Sequence, residues 1–210
     1  MQTSRSTSSS ANSYFFVSHW RVPGRIEQVF RLFQQVERLP DWWPAVYLGV
    51  EELEAGGPKG LGRTVAMRGK GWLPYSIRWQ LKVTGVEYPR RIDLSASGDL
   101  EGRGTWLLAQ AGEDVDITFE WEVTANKPLL KSLSPILKPL FAMNHRWAMR
   151  QGEISLKLEM QRLQARSMEE ALKVPRPPGP EPSARALAIM AGATGLALGL
   201  VWRAKRRAQR

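Results

Sequence analysis

The chain has 210 residues, 43% of them hydrophobic and nine of them tryptophan, which is enough for one domain with a substantial core and appendages. It has no cysteine, which excludes disulfides, cysteine-based zinc sites and thiol nucleophiles, and its two histidines are too few for a histidine-rich metal site. The formal net charge is +10, but residues 13–168 hold 21 Lys and Arg against 17 Asp and Glu, a net of +4. Because a nucleic-acid-binding domain concentrates positive charge in its fold, we expect no nucleic-acid partner. We also expect neither a metal nor an organic cofactor.

The N-terminal third is predicted to begin disordered and then form a strand and two short helices. Residues 1–12 are polar and of low complexity, and no apolar segment follows a basic start, so no secretory signal is predicted. Aromatic and β-branched residues at 14–22 predict a strand. Apolar residues at helical spacing predict a short helix at 26–33, and a second helical piece at 36–43 follows.

About six further strands are predicted after these helices. Strict alternation at 75–86 and at 115–123 places Trp79 and Trp121 on the covered face of an antiparallel sheet with one solvated face. The glycine-rich segment 98–104 is predicted to be a turn. The predicted strands span residues 46–53, 63–68, 75–86, 92–97, 105–110 and 115–123.

A long helix is predicted to follow the last strand. Pro135 and Pro139 interrupt the apolar run that begins at Leu129, which predicts a short turn or lid at 129–137 and a continuous helix from about Lys138. One face of this helix has a 3.6-residue period and carries Leu140, Asn144, Trp147, Gln151, Ile154 and Leu158.

The middle of that helical face is polar. It carries Asn144, Gln151 and Ser155, with His145 on its flank. An unpaired buried amide costs roughly 1–3 kcal/mol. Either strands supply hydrogen-bond partners, or this face lines a cavity that holds water or a ligand.

The C-terminal region changes composition. Five prolines between 175 and 182 predict an extended linker over residues 169–184. Residues 186–202 carry no charge and would form a helix of about 25 Å, the lower limit for crossing a bilayer. A membrane-anchoring helix is therefore predicted at 185–203, followed by a basic tail at 204–210; a surface helix or a partner-bound tail is the alternative.

Two further expectations concern this segment. Gly195 and Gly199 are spaced so that two such helices can approach each other closely, which would allow a homodimer. The basic C-terminus favours a cytoplasmic tail, whereas the missing signal keeps the preceding domain in the cytoplasm. Because moving a folded domain without a signal is the harder step, we expect the domain on the cytoplasmic side of the membrane.

Seven short motifs stand out along the chain: HWRVP at 19–23, LPDWWP at 39–44, GLG at 60–62, LPY at 73–75, GDLEGRGTW at 98–106, WEV at 121–123 and MNHRWAM at 143–149. The order of the elements resembles the START-like helix-grip superfamily, also called SRPBCC, and these motifs resemble its polyketide cyclase/dehydrase-like branch. The resemblance covers about residues 14–165. It implies an α+β fold in which a bent antiparallel sheet wraps around a long C-terminal helix and encloses a deep ligand cavity, with access near the short helices and loops.

If the cavity exists, its wall comes from the covered faces of the sheet and the helix. Each sheet tryptophan is either plain core or pocket wall, and the number of them favours a pocket for a planar or greasy molecule. The pair Trp42 and Trp43 is interpreted as packing the short helix rather than as a gate. The residues predicted to bind the ligand are Tyr75, Trp79, Trp106, Trp121, Asn144, Trp147 and Gln151, with His145 beside them.

Two functions remain open, with a structural or regulatory partner-binding role third. The first is membrane-tethered binding or transfer of a hydrophobic small molecule, a lipid or a polyketide-like compound. The second is a cofactor-free polyketide cyclase or dehydratase in which His145 is the general acid/base and Asn144 or Tyr75 polarises a carbonyl group. For His145 the alternative is a structural histidine bonded to the backbone.

Overall fold

Seven strands and four helices make up the part of the chain that the computed structural model describes, residues 13–73, 75–125 and 134–182. The strands are β1 (Ser13–Pro23), β2 (Tyr47–Glu54), β3 (Thr64–Lys70), β4 (Ser76–Glu87), β5 (Arg91–Gly98), β6 (Leu100–Ala111) and β7 (Asp114–Ala125). The helices are α1 (Ile26–Gln34), α2 (Leu39–Trp42), α3 (Ser134–Gln164) and α4 (Met168–Lys173), with 3₁₀ turns at Val36–Arg38 and Pro58–Gly60.

The seven strands form one antiparallel sheet in the order β1-β7-β6-β5-β4-β3-β2. Strands β2 to β7 pair with their neighbours in the chain, and β1 crosses to pair with β7. The predicted alternation in β4 and β7 is confirmed, because Trp79 and Trp121 are buried while Gln80 and Glu120 are exposed. Register shifts between β2 and β3 and between β4 and β5 mark irregularities of the kind that bend strands.

Helix α3 packs against the covered side of the sheet and contacts the short helices. Met149, Leu156 and Met160 of α3 are buried in one core cluster with residues of α1 and α2. The carboxylate of Glu159, only 4% exposed, accepts hydrogen bonds from Arg38 at 2.8 Å and Arg162 at 2.6 Å. This ion pair between the buried Glu159 and the partly exposed Arg38 links the 3₁₀ turn to α3. The predicted helix-grip architecture is confirmed.

The predicted turn at 98–104 is wrong for most of its length. Strand β6 already begins at Leu100, and Gly102 pairs with Val123 of β7. A Cβ atom on Gly102 would collide with the carbonyl oxygen of Glu122. The glycines therefore serve close approach between two strands, and pairing with β7 overrides the local preference of glycine for turns.

Helix α3 begins at Ser134, earlier than the predicted start at Lys138, so part of the predicted lid at 129–137 is helical. Pro139 lies inside the helix, where its missing N–H leaves the carbonyl of Pro135 without the usual intrahelical hydrogen bond. The proline thus falls within the second turn of a long helix, which continues for 25 residues beyond it to Gln164. Residues 126–133 of the predicted lid and helix entrance lie outside the described residues.

The segment predicted as an extended linker starts with a helix. Helix α4 reaches Lys173, and its N-cap Ser167 accepts a hydrogen bond from the backbone N–H of Glu170 at 3.2 Å. The chain then runs without helix or strand to Pro182. It stays attached to the domain, because Arg162 donates to the carbonyl of Pro175 at 3.0 Å and Lys70 donates to the carbonyl of Glu181 at 2.6 Å.

Within the described ranges, no helix is both long and apolar enough to cross a membrane. The predicted anchor at 186–202, the basic tail at 204–210 and the N-terminal residues 1–12 lie outside those ranges. The anchoring helix, and the pair Gly195 and Gly199 within it, stay predictions.

Candidate functional site

A cavity of about 190 Å³, here called the large cavity, lies between the sheet and the N-terminal half of α3. All seven strands supply side chains to its wall, β2 through Tyr47 alone, and α3 closes it with residues from Phe141 to Met149. Aromatic rings make up much of this wall: Tyr14, Phe16, Trp43, Tyr47, Tyr75, Trp79, Trp106, Phe119, Trp121 and Phe141.

A second cavity of about 80 Å³, here called the small cavity, lies at the end of the sheet near α1 and α2. The ring of Trp43 meets that of Tyr47 edge to face at 5.1 Å between centroids, and Tyr47 lies 6.1 Å from Trp79. Trp43 and Tyr47 belong to a partition between the two cavities, whose members line both: Trp43, Tyr47, Leu81, Leu94 and Trp106.

Six of the eight predicted site residues line the large cavity. The sheet contributes three of them, the residue before β4 one and α3 two, so the covered faces of sheet and helix do meet around one space. Their roles toward a ligand stay predictions. The six are Tyr75, Trp79, Trp106, Trp121, Asn144 and His145.

Trp147 and Gln151 line neither of the two cavities among the described residues. Trp147 instead packs against the core cluster that contains α1 and α2. The cavity-facing residues of α3 recur at 141, 144, 145, 148 and 149. At 100° per residue, Trp147 points away from the centre of that face, so the predicted face was rotated from the true one.

Trp43 packs against α3 at Gly152. A Cβ atom on Gly152 would collide with the Trp43 ring, so the glycine gives the indole room to lie against the helix backbone. Trp43 and Trp42 are 3% and 1% exposed, in agreement with the interpretation that they pack the short helix. They also line the small cavity, which the sequence did not indicate.

Sequence reasoning also missed Tyr14, Phe16 and Tyr47. The first two alternate with Trp20 on the covered face of β1, so the alternation of residues 14–22 could have identified them. Tyr47 gave no such signal, because it stands at the start of an edge strand whose residues are at most half-buried.

His145 is held by neighbours on β1. Its ring stacks on Phe16 at 4.0 Å between centroids, and its Nε2 lies 3.4 Å from the hydroxyl oxygen of Ser18. Burial, and to a smaller extent the adjacent Arg146, lower the pKa of His145 from 6.5 to about 4. The imidazole is therefore neutral at pH 7, where it can accept a proton but is not a ready general acid.

Two other polar side chains of the large cavity, Asn144 and Lys70, bond the protein backbone. The backbone N–H of Leu73 donates to Oδ1 of Asn144 at 3.4 Å, and the ammonium group of Lys70 donates to Glu181. Burial raises the pKa of Tyr75 and of Tyr47, so both phenols stay protonated at neutral pH. On the polar face of α3, Asn144 thus bonds the β3–β4 connection, whereas the hydroxyl oxygen of Ser155 is buried in the core without a hydrogen-bond partner among the described residues.

Carboxylates are missing from both walls as far as the chain is described. No Asp or Glu side chain lines the large or the small cavity. No cluster of three His, Cys, Asp or Glu residues in the described ranges could hold a metal ion. The site therefore offers aromatic surface, a few neutral polar groups and the cations Lys70, Lys59 and Arg63.

An antiparallel seven-stranded sheet, closed by a long C-terminal helix over an aromatic cavity, defines a helix-grip protein. The chain belongs to the family described as polyketide cyclase / dehydrase and lipid transport, whose family model matches residues 16–167. No curated protein matches the chain significantly.

Solved structures with the same fold share little sequence with this chain. The Zhui aromatase/cyclase from Streptomyces sp. R1128 has a TM-score of 0.61 at 13% identity, over 73% of this chain and 97% of that one. The protein TTHA0849 from Thermus thermophilus has a TM-score of 0.58 at 16% identity, over 72% and 100%. A START superfamily protein from Mycobacterium smegmatis has a TM-score of 0.52 at 13% identity, over 71% and 99%. At these identities the likeness shows the fold alone.

Proposed function

We propose that this protein binds and carries a hydrophobic small molecule, a lipid or a polyketide-like compound, in the space between its sheet and α3. The observation that carries the proposal is the wall of the large cavity, which is built mostly of aromatic and aliphatic side chains and includes no carboxylate among the described residues. Apolar ligand surface moved from water onto such a wall gains roughly 25 cal/mol per Å². A greasy or planar molecule is the ligand that this wall favours.

The state of the polar groups supports binding over catalysis. His145 lies near Ser18, Asn144 bonds the backbone of Leu73, and Lys70 bonds the backbone of Glu181. General acid/base catalysis needs an acid, a base and an oxyanion donor that converge on one reacting atom. Groups already engaged with the protein serve cavity shape and ligand orientation better than proton transfer.

The second candidate is a cofactor-free cyclase or dehydratase. It is favoured by the presence of His145, Asn144 and Tyr75 in one cavity wall, and the similar Zhui structure is that of an aromatase/cyclase. In this mechanism the neutral imidazole of His145 removes a proton next to a ketone carbonyl, while Asn144 or Tyr75 donates a hydrogen bond to the carbonyl oxygen.

The proposal also includes the tethering of the protein to a membrane. The segment 186–202 anchors the chain, with the domain on the cytoplasmic side, and Gly195 and Gly199 allow two anchors to pair. In support, the carbonyl of Glu181 is held by Lys70, a residue of the large-cavity wall, so the tail leaves the domain beside the cavity. Deleting residues 184–210 should move the protein from the membrane fraction to the supernatant, and an unchanged membrane-bound fraction contradicts the anchor.

The test of binding uses the full-length chain in detergent and a matched pair of variants on α3. Ala148 lines the large cavity, whereas Ala142, half-buried like it, lines neither cavity. Native mass spectrometry and extraction should find a co-purifying hydrophobic molecule in the wild type. Ala148→Trp should lower its occupancy at least tenfold by filling the cavity, and Ala142→Trp should leave it within twofold.

Three results bear on the choice of function. Equal occupancy in both variants contradicts binding in the large cavity. An empty wild type that also fails to bind added naphthalene derivatives contradicts the binding function altogether. Turnover of a polyketide substrate that is lost in His145→Ala establishes the cyclase instead.

A further inference from the structure

Two buried hydrogen-bond donors near α2 have no partner. The indole Nε1 atoms of Trp42 and Trp43 are fully buried, and neither has an acceptor among the residues that the structure describes. An indole N–H can only donate. Leaving such a donor buried and unpaired costs free energy, and buried polar groups in native proteins are nearly always paired. An acceptor oxygen from outside the described residues would satisfy the hydrogen-bonding capacity of both indole N–H groups.

Both tryptophans line the small cavity. Most of the remaining wall is aliphatic or aromatic, and its polar side chains are few. The cavity of about 80 Å³ has room for a small group rather than for a whole lipid. Since Trp43 and Trp106 also line the large cavity, a molecule that fills the large cavity can extend one end past this partition toward the two donors.

The charge at the small cavity points to an uncharged acceptor. Arg63 lies in the wall, but its guanidinium is neutralised by Glu52 at 2.7 Å and Glu37 at 3.1 Å, and it donates to the carbonyl of Gln34 at 2.7 Å. Lys59 is the other cation in this wall, and its ammonium nitrogen lies 5.8 Å from the centroid of the Tyr88 ring. The positive charges of Arg63 and Lys59 are matched in number by the two carboxylates on Arg63, so no surplus positive charge remains there. A carboxylate entering this cavity would lose its hydration without gaining a free counter-charge from Arg63.

We propose that the small cavity is a subsite for an uncharged carbonyl oxygen, a ketone or an ester, at one end of the ligand whose apolar body occupies the large cavity. This inference rests on the proposed binding function and names the ligand class within it. The indole N–H groups of Trp42 and Trp43 donate to the carbonyl, and the neutralised Arg63 makes a carboxylate a poor substitute.

The test compares three probes of nearly equal size, 2-acetylnaphthalene, 2-ethylnaphthalene and 2-naphthoate. Their affinities for the full-length chain are measured by titration calorimetry at pH 7. The ketone should bind about three- to tenfold more tightly than the hydrocarbon, as expected for one or two hydrogen bonds, and the carboxylate should bind more weakly than the ketone. In a spectrum of ¹⁵N-tryptophan-labelled protein, the ketone should shift the indole signals of Trp42 and Trp43 downfield.

Variants test whether the preference for the ketone over the hydrocarbon depends on the indole N–H groups of Trp42 and Trp43. Trp42→Phe and Trp43→Phe keep a ring but remove the N–H, so the ratio of ketone to hydrocarbon affinity should fall to within twofold of one. Trp20→Phe is the matched control, because Trp20 is a buried core tryptophan that lines neither cavity. It should leave the ratio unchanged. The wild-type comparison needs no variant and stands even if a substitution prevents folding.

The outcomes separate this inference from the function on which it rests. If the ketone and the hydrocarbon bind equally, or if the carboxylate binds most tightly, the carbonyl subsite is wrong while hydrophobic binding stands. If none of the three probes binds, the binding function fails and the subsite fails with it.

Discussion

The large and the small cavity share a partition but differ in the state of their polar groups. In the large cavity, His145, Asn144 and Lys70 each lie within hydrogen-bonding range of a protein partner. In the small cavity, the indole groups of Trp42 and of Trp43, which the large cavity shares, have no acceptor among the described residues. The difference suggests that the large cavity supplies apolar surface for ligand affinity, whereas the small cavity fixes the orientation of the ligand.

The largest expected effect separates cavity wall from plain core. Trp79 and Trp20 are 8% and 4% exposed, but only Trp79 lines the large cavity. Replacement of either by Ala should lower the free energy of unfolding by roughly 3–5 kcal/mol, because both bury a large ring. Only Trp79→Ala should also weaken 2-ethylnaphthalene binding beyond the loss of folded protein.

Urea unfolding of both variants measures the loss of stability. Calorimetric titration without urea, where each variant is folded, measures the loss of ligand affinity. Equal losses of ligand affinity in the two variants would make Trp79 ordinary core and would remove the evidence for a wall specialised for binding.

A smaller effect follows from the titration of His145, whose folded-state pKa of about 4 lies below its ordinary value of 6.5. As the pH falls from about 6.5 to about 4, the unfolded chain takes up the proton and the folded chain does not, so stability is lost in this window. At 1.36 kcal/mol per pKa unit, the loss contributed by this group is at most about 3 kcal/mol. Above pH 6.5 the group contributes no pH dependence.

Urea unfolding between pH 4 and pH 7 should therefore show a smaller loss of stability for His145→Gln than for the wild type. The control is His19→Gln, since His19 is exposed and lies outside both cavity walls. Identical pH profiles for the wild type and His145→Gln would contradict a buried, neutral imidazole. The ketone preference of the small cavity should persist across this range, because indole groups do not titrate.

The smallest effect concerns the chain that leaves the domain beside the large cavity. Lys70→Ala removes the hydrogen bond to the carbonyl of Glu181, which is worth roughly 0.5–1.5 kcal/mol. Hydrogen exchange of residues 174–181 should become faster while the unfolding midpoint stays nearly constant. Lys82→Ala, on the exposed face of β4, is the control and should change neither. Unchanged exchange in Lys70→Ala would show that this bond does not hold the segment.

The covered face of the sheet was predictable, because side chains alternate along a strand whatever the strand pairs with. Trp79 and Trp121 therefore had to lie on one side of the sheet. Local composition failed where a partner strand overrode it, at Gly102 and Gly104, which lie in a strand and not in the predicted turn. The start of α3 was missed for a similar reason, since Pro139 lies in the second turn of a helix whose packing outweighs the lost hydrogen bond.

By itself, the sequence determined the order of the elements, the sheet face that is covered and the family-like motifs, because these depend on spacing along one chain. Only the tertiary structure decided which face of α3 meets the large cavity, so that Trp147 lies outside its wall. It also decided that the wall ends at Met149, before Gln151. It also decided which tryptophans are wall and which are core. A buried tryptophan has the same spacing along its strand whether it lines a cavity or packs in the core. The distinction depends on the packing of residues far apart in the chain.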